Sequence, residues 1–160
     1  MFSFSCSAQI QRKVLGFTLG TTTKTMVYNY LRNNHIKFKK DSSGDGDYIA
    51  ENIKFAGYKW SLVFFRFYNG KLLNVGFTTT DYHHSDTELD LMHQKLVYAL
   101  ANKYMNYYDN SSTDEMITFN DNTVAVTVSS VIVNENRVVG LYYMYEPLLK
   151  QKIISDNKDL

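Results

Sequence analysis

Residues 58–80 read YKWSLVFFRFYNGKLLNVGFTTT, two aromatic-rich apolar runs joined at Asn69-Gly70. Asn-Gly between alternating runs predicts a tight hairpin, because a type I′ turn needs positive φ at both central residues. With those two residues as the loop, Tyr68 faces Lys71, Arg66 faces Leu73, Phe64 faces Val75 and Leu62 faces Phe77. One face then carries Trp60, Leu62, Phe64, Leu73, Val75 and Phe77 and reads as core. The other carries Val63, Phe65, Phe67 and Leu72, diluted by Lys59, Ser61, Asn74 and Gly76. That second face is more apolar than a solvated sheet face needs to be.

Working outward, Gly20-Thr21-Thr22-Thr23 supplies a turn and N-caps, and Met26, Val27, Tyr30 and Leu31 follow at helical spacing, which predicts a helix over 22–33. His35 to Lys40 alternates as a short strand, and Tyr48 to Phe55 reads as another. Ser85 with Glu88 forms a capping box, and Asp86, Glu88 and Asp90 suit the positive end of a helix. Leu89, Met92, Leu96, Leu100 and Tyr104 then mark a helix over 86–107. Strands are predicted over 116–119, 123–133 and 137–145, and Pro147 opens a short amphipathic tail to Ser155.

The second half repeats the first at an offset of 66, which carries Met26 to Met92, Tyr30 to Leu96 and the run 70–77 onto 136–143. The fold class that follows is α+β: an antiparallel sheet with two helices on one face, built as a tandem helix-plus-meander duplication. A single domain over 10–155 would hold pseudo-repeats at about 20–84 and 86–146. In the second hairpin Val124, Val126, Val128, Ile132, Val139, Leu141 and Tyr143 read as core. The reverse face of the sheet would then be lined by Phe65, Phe67, Leu72, Val131, Val133 and Tyr142, the expected partner-binding residues. On this reading Phe65→Ser with Phe67→Ser leaves folding nearly intact and abolishes partner capture. Burial of that face beneath the C-terminal helix, or in a homodimer, is the structural alternative.

Composition bounds the function. The chain has 160 residues, 44% hydrophobic and 15% aromatic, enough for a core without a covalent staple. A net charge of +1 without a long single-sign run argues against nucleic acid as partner. No stretch reaches the ~20 apolar residues of a spanning helix. Cys6 is the one cysteine, so no internal disulfide forms. Residues 1–9, MFSFSCSAQ, resemble the tail of a bacterial secretion signal with Ala8-Gln9 as the cleavage point. This points to an extracytoplasmic protein, with the cytoplasm as the alternative. Phe4 fits poorly before a lipid-anchored Cys6.

Two metal readings are weak. Asp41, Ser43, Asp45 and Gly46 match the start of a calcium loop, but Asn52 stands where the bidentate Glu belongs. His84, Asp90 and His93 could approach zinc but lack a recognised ligand spacing, and Asp90 is explained by the helix dipole. There is no Gly-x-Ser-x-Gly elbow and no phosphate-cradling loop. The expectation is no catalytic residue, no metal and no cofactor.

Phe17-Thr-Leu-Gly-Thr-Thr-Thr23 leading into a helix, followed by a Trp-containing meander, resembles the module shared by beta-lactamase inhibitor proteins and BamE-like outer-membrane-assembly lipoproteins. The tandem layout is similar to the inhibitor's two units, although Cys6 alone cannot supply the inhibitor's disulfides. The resemblance implies a non-catalytic extracytoplasmic module that binds a protein. A small-ligand carrier, with the ligand between sheet and helices, is the alternative, and a metal-dependent hydrolase a lesser one.

Overall fold

The computed structural model describes residues 9–41, 47–80 and 84–157. The chain runs as β1 (Lys13–Val14), β2 (Phe17–Thr18), α1 (Lys24–Asn33), β3 (Phe38–Lys40), β4 (Tyr48–Phe55), β5 (Tyr58–Tyr68) and β6 (Lys71–Thr78). After these come α2 (Asp86–Tyr104), β7 (Met116–Asn120), β8 (Val124–Val133), β9 (Asn136–Tyr145) and α3 (Glu146–Asp156). Seven strands form one antiparallel sheet in the order β3-β4-β5-β6-β9-β8-β7, with β1 and β2 in a small separate ladder. The fold is α+β, as the hydrophobic periodicities require. None of the described helices is long and apolar enough to cross a membrane.

Local chemistry explains the element ends. Thr23 caps α1 by accepting the Met26 N–H, and Ser85 and Glu88 form the reciprocal capping box of α2. The two bonds from Ser85 hold the Glu88 carboxyl below its usual range. Asn69 and Gly70 have φ of 49° and 70°, the positive pair a type I′ turn needs. The second hairpin turns at Asn134 and Glu135, with φ of 49° and 65°. His35 also has positive φ, 52°, so the strand expected to begin there starts only at Phe38.

The layout of a helix followed by an antiparallel meander occurs twice. The two meanders meet where β6 pairs with β9. Thr79 extends that seam: its N–H donates to the Val139 carbonyl at 3.0 Å and its hydroxyl accepts the Val139 N–H at 2.9 Å. The offset of 66 does not hold residue by residue. The buried positions of α1, Val27 and Leu31, correspond to Met92 and Leu96 of α2 at an offset of 65. Beyond the bulge in β6, counting from the turns places Phe77 with Leu141, an offset of 64.

That bulge also corrects the facing of the first hairpin. Phe67 pairs with Leu72, but Arg66 pairs with Asn74, so Leu73 is an extra residue on β6. From there the register moves by one: Phe65 faces Val75 and Val63 faces Phe77, where strict alternation from the turn expects Phe64 and Leu62. A one-residue slip exchanges every side chain between faces. Val75 and Phe77 are core as expected, but their β5 partners are Phe65 and Val63, both 0% exposed. The extra residue also lets Leu72 share the face of Val75, and both are fully buried.

Phe65, Phe67 and Leu72 therefore belong to the core, not to an open surface. The lead-in and α1 cover them. Phe17 meets Phe65 edge-on at 5.8 Å and Tyr30 at 5.0 Å, while Tyr48 bridges Tyr28 to Phe67. Three main-chain hydrogen bonds moor the start of α1 to β6: Gly20 N–H to the Leu72 carbonyl, Leu72 N–H to the Thr22 carbonyl, and Lys24 N–H to the Gly70 carbonyl.

A second irregularity sits at Asn52, whose φ is 59° and which is missing from the β4–β5 ladder. Beyond it Phe55 and Trp60 come onto the helix side and pack on Phe77, at 4.6 and 5.5 Å. Trp60 is thus core as expected, although strict alternation would set it opposite Val63. On the other half α2 buries Leu89, Met92, Leu96 and Tyr104 in the same core as Val124, Val126 and Val128. Ile132, expected in that core, is 68% exposed, because it lies at the far tip of the hairpin.

Phe65→Ala is expected to cost about 3–5 kcal/mol of stability, the usual range for deleting a buried Phe. Urea unfolding measures this; a loss under about 1 kcal/mol would place Phe65 on an accessible surface.

Candidate binding groove on the reverse face of the sheet

The bulge leaves Leu62, Phe64 and Arg66 of β5 on the face away from α1 and α2, with Asn74, Gly76 and Thr78 beside them on β6. Tyr142 and Met144 of β9 lie across from Gly76 and Asn74. Ala125 and Thr127 of β8 and Met116 of β7 complete the far side. These side chains, except Leu62, line a groove of about 410 Å³, within the usual range for binding sites. No residue of α3 lines it. α3 leaves β9 directly, with the Glu146 N–H bonded to the Thr123 carbonyl at 3.0 Å, and buries Leu148. Leu73, Ala125 and Leu148 are buried outside the main core.

The floor of the groove is shaped by two glycines under one ring. A Cβ on Gly76 would stand 2.8 Å from Cδ1 of Tyr142. One on Gly140 would stand 2.6 Å from the Tyr142 hydroxyl and 2.7 Å from Ser129 Oγ. The Tyr142 ring therefore lies down on the sheet, filling space a side chain would otherwise take. Burial pushes its phenol above 10.0, while a hydrogen bond with Ser129 and the positive charge of Arg66 pull the other way. Thr118 and Thr127 join across β7 and β8 by a 2.9 Å hydroxyl–hydroxyl bond.

Two polar groups in the groove have no hydrogen-bond or ion-pair partner among the described residues. Among the described residues no carboxylate lines it, and Arg66, which is exposed, has no ion pair there. Thr78 is 8% exposed, and its Oγ1, itself closed off from solvent, has no hydrogen-bond partner among the described residues. An orphaned buried hydroxyl costs about 1–3 kcal/mol, so a native structure leaves few without a purpose or a solvent partner.

Of the six residues expected to bind a partner, only Val131, Val133 and Tyr142 lie on this face, by the β8–β9 register. Val133, 49% exposed, lines a separate cleft with His84, Asp86 and Leu89, so of the six only Tyr142 lines the groove, where Met116 is equally exposed. Sequence reasoning missed Phe64, Arg66, Met116 and Met144. For Phe64 and Arg66 the cause is the register slip at Leu73. The periodicity of β9 does place Met144 with Tyr142, a signal that was available.

The residues weighed for metals are not assembled into a site. The imidazole of His84 sits 4.0 Å from Glu88, while the Asp90 carboxylate is 3.2 Å from Arg137. His93 keeps a buried Nε2 without a partner among the described residues; burial lowers its pKa below 6.5, with Asp90 raising it and Arg137 lowering it. Among the described residues no three His, Cys, Asp or Glu side chains come together as ligands. The Asp41–Asp47 calcium loop falls mostly outside the described residues, including Ser43, Asp45 and Gly46. Asp47 itself accepts the Phe67 N–H at 3.1 Å.

Gly140→Ala is expected to lift the Tyr142 ring and lower stability by about 1–3 kcal/mol, the cost of overpacking. Adding Tyr142→Ala should recover part of that loss, because the clash partner is gone. Thermal unfolding of the single and double variants measures the coupling; strict additivity would show that the ring does not rest on Gly140.

No protein-family model, no curated protein and no solved structure matches this chain.

Proposed function

We propose that this chain is a non-catalytic protein-binding module that works outside the cytoplasm and takes its partner on the reverse face of its sheet. The observation that carries the reading is the groove itself. It has an aromatic and thioether lining and lies on the face opposite α1 and α2. Met116 on β7, 49% exposed, carries that apolar lining out to the surface. Exposed apolar surface of this kind is commonly an interaction site. The extracytoplasmic setting rests on the secretion-signal character of residues 1–9, of which 1–8 lie outside the described structure.

The small-ligand alternative draws less support. It needs room between sheet and helices, where Trp60, Phe65, Phe77 and Phe119 are each at most 1% exposed.

Replacing Met116 or Met144, both lining the groove, with the photo-crosslinker p-benzoylphenylalanine in producing cells tests face and compartment together. The expected result is one discrete adduct from either position and none from Gln94 on the exposed side of α2. The adduct should come from the extracytoplasmic fraction, its chain beginning at Gln9. Equal adducts from Gln94 would remove the face; recovery from the cytoplasm with Met1 intact would remove the compartment.

A further inference from the structure

The end of the β8–β9 hairpin is a two-stranded arm. β7 pairs with β8 only as far as Ser129, and β6 pairs with β9 only as far as Gly140, so residues 130–138 have no ladder on either side. A two-stranded ribbon is marginal by itself and needs a surface to lie on. By the β8–β9 register Ser130 and Arg137 share the side of Val128 and Val139, which α2 covers. Arg137 reaches across to α2, 3.2 Å from the Asp90 carboxylate, and donates to Ser130 Oγ at 3.0 Å. Its Nε is buried with no hydrogen-bond partner among the described residues. His93 follows Asp90 by three residues, the spacing that puts two side chains on one face of a helix. Its Nε2 is also buried and unpartnered among the described residues.

The charges acting on the His93 ring are Asp90, from its own helix, and Arg137, from β9. β7 and β8, which also pack on α2, bring no ionisable side chain, and burial pushes the Tyr143 phenol of β9 up to about 12. Glu115, just before β7, takes the Ser130 N–H on its carbonyl at 2.8 Å and has an exposed side chain. His84 and Asp86 line the small cleft between arm and helix with Arg137. A neutral imidazole carries one N–H; a second proton makes both ring nitrogens donors. Nε2 would then be a charged donor in a buried place without an acceptor, and next to a guanidinium. A buried charge must be paired or expelled. The acid of the cluster is Asp90, which already holds Arg137. Imidazolium and guanidinium therefore compete for one carboxylate.

We infer that His93 makes the arm an acid-released latch: while the imidazole is neutral, Asp90 holds Arg137 and ties the arm to α2, and when the ring takes a proton it draws Asp90 to itself and the arm lifts from the helix. The exchange replaces a tie between two elements with one inside a single helix. Only the arm moves, because the rest of β9 stays paired to β6 from Gly140 to Met144. Its tip already stands in water, with Ile132 68% exposed. The sign follows from burial, which holds the ring below its ordinary 6.5 in the closed form. Above that value neither form is charged and the latch is whole. As pH falls below it, the released form takes the proton first. Release then becomes about tenfold more favourable for each pH unit, until the closed form is protonated as well.

Amide hydrogen exchange of the intact chain, corrected for intrinsic rates and compared between about pH 7.5 and about pH 5, tests this across the range where histidine titrates. In the wild type the amides of 130–138 are expected to lose about tenfold or more of their protection on acidification, while those of β5 and β6 keep theirs. His93→Gln, which cannot take the charge, should keep the arm protected at both pH values. Arg137→Gln should loosen the arm already at neutral pH and remove most of its further response to acid. An arm that does not respond to acid in the wild type overturns the latch. So does a response that persists in His93→Gln or at full size in Arg137→Gln. Equal loss of protection in β5 and β6 would show ordinary acid unfolding of the whole chain and overturn it too.

Discussion

One extra residue in a strand, Leu73, decides which side of this molecule is inside. The turn at Asn69-Gly70 starts β5 and β6 in one register, and the bulge moves them into another within a few residues of the loop. Because side chains alternate strictly in a strand, that single step sends Phe65 and Val63 inward with Val75 and Phe77. It leaves Phe64 and Arg66 behind on the outer face. Core and groove are thus two results of the same local choice. Stabilising burial on one side and the outward placement of Phe64 and Arg66 on the other cannot be altered independently.

The rest of the fold locks that choice. α1 is moored to β6 by backbone hydrogen bonds at Leu72 and Gly70, which places Val27 and Leu31 over the inward aromatic residues. The second meander joins at β6–β9 and continues the same sheet, so its inward valines extend one core beneath both helices. On the outer side the join is made smooth by absence. Gly76 and Gly140 have no side chains, and Tyr142 lies across the space. The seam between the two halves is consequently the floor of the groove, and the face that could bind is shared by both meanders rather than owned by one.

Much of this was legible in the sequence wherever the cause was local. Asn-Gly, the Ser85–Glu88 box and the valine alternation in β8 each specify a structure through neighbours within a few positions, and each formed as read. The facing of β5 was not legible. Val-Phe-Phe-Arg-Phe places aromatic side chains on both parities, so hydrophobicity alone does not choose a side. The choice rests on a bulge that tertiary packing selects, and on Phe17 of β2, Tyr28 of α1 and Tyr48 of β4, which gather around the inward residues from distant parts of the chain. Asn52 acts in the same way on Trp60, which reached its expected place by a break in alternation rather than by alternation itself. The groove inherited the error: its β8 and β9 residues follow from simple periodicity, and its β5 residues do not.

The central claim is therefore the facing of four consecutive residues in β5, and thiol accessibility measures it directly. In a Cys6→Ser background, Phe64→Cys, Phe65→Cys, Arg66→Cys and Phe67→Cys are each exposed to a thiol reagent under native conditions. The account predicts rapid modification at positions 64 and 66, and protection at 65 and 67 that is lifted only by denaturant. The reverse pattern would show that Leu73 does not shift the register and that the face carrying Phe64 and Arg66 is the core.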